Sequence, residues 1–184
     1  VGGPGTLTSG SFGTGPIILG AATTDRAQIL FINGNTVNNS IVVNNVLGNT
    51  DAAGALRVDA GSNIIAGTIN ANLAAANFRN GGGGAGGINV TGAISGTSFG
   101  LTLLAGNGVG TLNVTLASTA NANTYAGDTT INSVKETLTL GAADQIPNGT
   151  GKGNLIVTDG TFKMGGFSET INGLSGTGTV DGVS

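Results

Sequence analysis

Apolar residues recur at every second position along most of this chain, in short runs broken by Gly, Asn or Asp-Gly. Thr111-Leu112-Asn113-Val114-Thr115-Leu116 alternates strictly, and Thr137-Leu138-Thr139-Leu140 does the same. Leu56 and Val58, Leu101 and Leu103, Leu155 and Val157, and Phe162 and Met164 each place two apolar side chains on one face of a short extended segment. Successive side chains of a strand point to opposite faces, so this period predicts strands that bury one face only. Between the runs stand Asn33-Gly34, Asn107-Gly108, Asn148-Gly149, Asp159-Gly160, Asn172-Gly173 and Asp181-Gly182. Such pairs tolerate positive φ and turn the chain sharply.

Ala71 to Arg79 has helical propensity but no amphipathic face, and reads as a loop excursion or a single helical turn. The glycine-rich run 81–87 that follows predicts a flexible surface loop inside one domain spanning 1–184, because strand-like composition resumes on both sides. Many short, one-faced strands suit either an antiparallel β-sandwich or barrel, or a parallel β-helix whose turns stack. Three features favour the stacked coil. Apolar signals recur at the length of one turn: Leu112 to Leu138 is 26 residues, Leu138 to Phe162 is 24, and Asp159-Gly160 to Asp181-Gly182 is 22. Aromatic residues are only 4%, whereas sandwich cores commonly rest on large rings. The 25 Thr and 21 Asn suit a coil in which like polar side chains hydrogen-bond from one turn to the next.

Composition narrows the chemistry. There is no His and no Cys, which removes Ser-His-Asp and Cys-His nucleophiles, imidazole or thiolate metal sites and disulfides. Six Lys and Arg against nine Asp and Glu, scattered singly, form no basic stripe, so nucleic acid is not an expected partner. Charged residues are 8%, yet Ile, Leu, Val and Phe are plentiful enough to build a core and net charge is only −3, which argues against disorder. The longest run of large apolar residues, Ile29-Leu30-Phe31-Ile32, is far too short for a membrane-spanning helix. The chain begins at Val1 without a leader-like stretch and is expected to be a mature product or a segment of something longer.

In the second half the order of motifs becomes specific. Gly110-Thr111-Leu112-Asn113-Val114 is followed by Asn123-Thr124-Tyr125-Ala126-Gly127-Asp128-Thr129-Thr130-Ile131, then by Thr137-Leu138-Thr139-Leu140-Gly141. Gly160 to Ser168 and Ile171 to Val180 continue in the same style, and Ile88 to Gly96 precedes it. This order resembles the autotransporter-associated β-strand repeat of bacterial surface proteins, which runs in outline G-T-L-x-L, N-x-Y-x-G-x-T-x-I, G-x-L-x-L-G. The likeness covers nearly half the chain. It departs at Lys135-Glu136, where the repeat has Gly before its last strand, and one repeat is present where the family has tandem arrays. The resemblance implies a right-handed parallel β-helix, exported and displayed on, or shed from, a bacterial surface, and it implies no enzyme.

No catalytic, cofactor-binding or metal site is assigned. Several residues nevertheless invite a functional reading. Asp159 and Asp181, if one turn apart, stand at a single strand spacing, where two carboxylates repel, raise one pKa or recruit Ca²⁺; the plainer reading makes each the first residue of a turn. Gly149-Thr150-Gly151-Lys152-Gly153 lacks P-loop spacing and is followed by strand-like Asn154-Leu155-Ile156-Val157, as the 81–87 run is not followed by a helix. Tyr125 and Phe167 are either stacking platforms for surface glycans or closures of the coil's cross-section. A Thr ladder of the ice-binding kind requires Thr-x-Thr at the same place in each turn, and triplets such as Thr137-Leu138-Thr139 are too few along the chain to supply it. The expected role is a structural or adhesive segment of an extracellular or cell-surface protein. Its uncapped ends (Val1 to Gly15 and Thr177 to Ser184), in a chain with little charge to repel a second copy, point to continuation of the same chain or end-to-end stacking with another copy.

Overall fold

The computed structural model describes residues 12–20, 27–32, 34–44, 55–104 and 110–182; residues 1–11, Asn33 and the Asn107-Gly108 pair lie outside that set. Up to Leu116 each circuit of the chain supplies three short strands. These are β1 (Ile17–Leu19), β2 (Ile29–Phe31) and β3 (Thr36–Val37), then β4 (Ile41–Val43), β5 (Leu56–Val58) and β6 (Gly61–Ile65). β7 (Ile69–Ala71), β8 (Ala76–Arg79) and β9 (Ala85–Val90) follow, then β10 (Ile94–Ser95), β11 (Leu101–Leu104) and β12 (Thr111–Leu116). After them β13 (Thr129–Leu140) and β14 (Leu155–Lys163) each run along two sides, and β15 (Leu174–Gly176) and β16 (Thr179–Asp181) complete the described chain.

Every pairing among these strands is parallel, in ladders β1-β4-β7-β10, β2-β5-β8-β11-β13-β14-β15 and β3-β6-β9-β12-β13-β14-β16. The fold is therefore a β-solenoid, and the antiparallel sandwich is excluded. Register explains the core. Ile17, Ile41, Ile69 and Ile94 stand opposite one another, and the last three are fully buried. Leu56, Phe78, Leu103, Ile131 and Val157 make a second inward column, and Ile88, Val114, Leu138 and Phe162 a third. Each such side chain removed from water stabilises by about 1.5–3 kcal/mol, and the columns join into one continuous core. Leu112, Leu140 and Leu155 are buried as the alternation predicts, while Met164 and Ile171 pack against the core half-buried.

Three expectations need correction. Ala71 to Arg79 is not helical and is a loop only at 72–75: Ala71 ends β7 and Ala76–Arg79 forms β8, with Phe78 fully buried, because pairing on both sides with β5 and β11 overrides the alanine propensity. The 81–87 run is a loop only in part. Residues 81–84 bend, whereas Ala85-Gly86-Gly87 opens β9 and pairs with β6 and β12. The repeat lengths also shift: Val114, not Leu112, stands opposite Leu138, and Thr161 stands opposite Thr179. Facing survives the first slip because two residues restore the same side of the strand. Of the Gly turn pairs described, Gly34, Gly149 and Gly160 take positive φ, and Gly173 and Gly182 do not.

Beyond β10 the first ladder continues through side chains. The Ile94 N–H donates to Asn123 Oδ1 at 2.7 Å, Asn123 Nδ2 donates to the Gln145 carbonyl at 2.8 Å, and the Gln145 N–H donates to Glu169 at 2.8 Å. Gln145, fully buried, also accepts from the Ser118 N–H and hydroxyl at 3.0 and 2.8 Å. Buried amides thus take over part of the pairing where the chain no longer runs extended, beside the Thr124 N–H, which still donates to the Ile94 carbonyl at 2.8 Å. Asn123→Ala is expected to cost about 2–3 kcal/mol, since it strands a buried N–H and a buried carbonyl together; urea unfolding followed by circular dichroism measures it.

Candidate functional site

The polar residues singled out by sequence are mostly held by the fold. Tyr125 is 1% exposed, with its hydroxyl 2.6 Å from Thr129 Oγ1, and burial drives its phenol well above the ordinary range. It closes the cross-section and offers no face to a sugar; Phe167, at 40% exposure, reaches the surface. The other members of that motif are structural as well. Asn123 bridges turns, Thr129 and Ile131 point inward, and a Cβ on Gly127 would lie 2.6 Å from the Gly100 nitrogen.

Asp159 and Asp181 are not one turn apart. Asp159 stands opposite Asn132 and Asp181 opposite Lys163, so the carboxylates are not brought together by the ladder. Among the described residues no three acidic or other ligating side chains gather to hold a metal. In the Gly149 to Gly153 turn, Asn172 accepts from the Gly149 N–H at 2.7 Å and donates to the Gly149 and Lys152 carbonyls, each at 2.9 Å. Lys152 Nζ donates to the Thr124 carbonyl at 2.6 Å, and the strand β14 follows, so no helix N-terminus faces this loop. The Thr row is real but interrupted. Asn113, Thr137, Thr161 and Thr179 are in register on the outer face, while the neighbouring row reads Ile64, Asn89, Thr115, Thr139, Lys163 and Asp181. Thr139 donates to Asn113 Oδ1 at 2.9 Å across adjacent turns.

Charge concentrates at one corner that the sequence pattern did not assemble. Arg57 and Asp59 form a bidentate pair, Nε to Oδ1 at 2.8 Å and Nη2 to Oδ2 at 2.6 Å, and Asp59 Oδ1 also accepts from the Gly81 N–H at 3.0 Å. Asn80 straps the same glycine bend, donating to the Gly84 and Thr111 carbonyls at 3.0 and 2.8 Å. One turn from Arg57 stands Arg79, 5% exposed, whose pKa is lowered by burial and supported by the charge of Glu136. Glu136 itself is 2% exposed and points into the coil, in the column Gly61, Gly86, Leu112, Glu136. Neither of its oxygens has a hydrogen-bond partner. Burial pushes its carboxyl up to about 8, against the opposing pull of Arg79.

Outside this corner lies a shallow open groove lined by Gly61, Gly87, Leu112, Val134, Lys135 and Thr137. Its outer wall is a bulge in β13, where register with β14 shifts between Asn132 and Thr137 and Val134 is 74% exposed. Glu136 escaped the sequence reading except as a departure from the resembled repeat. Its parity with Leu138 and Leu140 is the signal that places it inside. No family model, curated protein or solved structure matches the chain. No helix among the described residues is long and apolar enough to cross a membrane.

Proposed function

We propose that the chain is a structural and adhesive β-solenoid segment of a secreted bacterial surface or extracellular fibre protein, acting as a stiff spacer without catalysis. The carrying observation is that its distinctive polar side chains, Asn123, Gln145, Tyr125 and Asn172, are engaged in hydrogen bonds that hold the coil together. The likeness of Asn123 to Ile131 to the autotransporter-associated repeat agrees with that use, since those residues pack the coil. Mechanically the rod rests on backbone ladders and a continuous apolar filling.

An adhesin reading has its own support in the in-register outer row of Asn113, Thr137, Thr161 and Thr179 beside the groove. Glycan-array binding and surface labelling of producing cells separate the two. The spacer reading expects surface exposure with no saturable glycan ligand. A defined glycan whose binding is lost on joint Thr137→Ala and Thr161→Ala substitution would move the assignment to an adhesin. Turnover of an acidic polysaccharide, abolished by Asp159→Asn, would make it an enzyme.

A further inference from the structure

We propose that Glu136 is a proton-operated latch: as the neutral acid it lies inside the coil beneath the closed β13 bulge, and on ionising it swings out through that bulge and opens the corner beside the groove. Three observations carry this. The side chain is buried with both oxygens unpartnered, an arrangement tolerable for a neutral carboxylic acid and costly for a carboxylate. Its column is otherwise Gly61, Gly86 and Leu112, so the coil closes at this level without any side-chain polar group and does not need one for packing. An exit exists next to it, because the register shift after Asn132 sets Val134 and Lys135 outside the ladder, both exposed.

The charged groups around the latch are few. The charge of Arg79 on β8 acts on Glu136 from the row it shares with Arg57, and Arg57, next to Arg79 on β5, is tied to Asp59. β9 and β12 place Gly86 and Leu112 at its level, Asp159 on β14 stands exposed opposite Asn132, and Lys135 adjoins it on the outer side. A folded-state pKa near 8, above the ordinary carboxylate value, means the closed state binds the extra proton. Stability from the neutral acid is therefore complete below the ordinary carboxylate pKa and is lost as pH rises towards about 8.

The test is a carboxyl-carbon NMR titration of the unmodified chain together with amide exchange at Val134, Lys135 and Glu136, referred at each pH to Glu136→Gln. The Glu136 signal is expected to titrate near 8. The exchange ratio is expected to rise about tenfold per pH unit up to that midpoint and then level off, as linkage to one proton requires. Titration in the ordinary carboxylate range overturns the proposal, whether or not the Gln variant folds. Exchange that follows pH equally in both chains overturns it too.

Discussion

Leu138→Asp is expected to destabilise the fold by on the order of 5 kcal/mol, enough to unfold a marginally stable domain, whereas Thr139→Asp is expected to cost about 1 kcal/mol. The two residues are neighbours in one strand and differ only in facing. Leu138 is fully buried between Val114 above and Phe162 below, with no polar group in its column there to receive a charge. An aspartate in that place loses the leucine's apolar burial and carries a carboxylate out of water without a partner. Thr139 faces outward and gives up one hydrogen bond, to Asn113 Oδ1. Urea midpoints of the two variants, read by circular dichroism, measure the difference. Equal losses would show that β13 does not present alternate residues to core and solvent.

That contrast rests on the part of the fold most legible in the sequence. Parity is a local property, so Leu138, Leu140, Leu155 and Val157 were placed inside by alternation alone. Turn-to-turn register is not local. The spacing from Leu112 to Leu138 suggested partners that are in truth offset by two, because any inward residue of β12 satisfies the same pattern. The same blindness paired Asp159 with Asp181, although the short chain between β15 and β16 brings Thr161 and Thr179 together. Propensity failed where the ladder was strongest: the alanines before Phe78 favour a helix in isolation, but β5 and β11 offer that segment a partner on each edge. The charged corner was the least readable. Arg79 and Glu136 lie far apart in sequence, and only the coil's closure sets one near the other.

Gly92→Ala is expected to cost on the order of 3 kcal/mol, and Gly87→Ala, five residues earlier in the same turn, to leave stability unchanged or raise it slightly. Both are glycines without positive φ, so backbone strain does not separate them. Space does. A Cβ on Gly92 would lie 2.0 Å from the Gly67 carbonyl oxygen, and one on Gly67 would lie 2.0 Å from that of Asn39, so successive turns touch backbone to backbone at this corner. The corner has little room to give: the Thr91 N–H donates to the Ile65 carbonyl at 2.9 Å on one side, and the Ile69 N–H donates to the Ala93 carbonyl at 2.9 Å on the other. A methyl group there must push two turns apart along the axis and lengthen both bonds. At Gly87 the nearest atom to an added Cβ is the Gly61 oxygen at 3.6 Å, an ordinary contact, and the methyl restricts the unfolded chain. Thermal and urea unfolding of the pair decide the matter; if Gly92→Ala melts with Gly87→Ala, the close approach of turns at Gly67 and Gly92 does not define this corner.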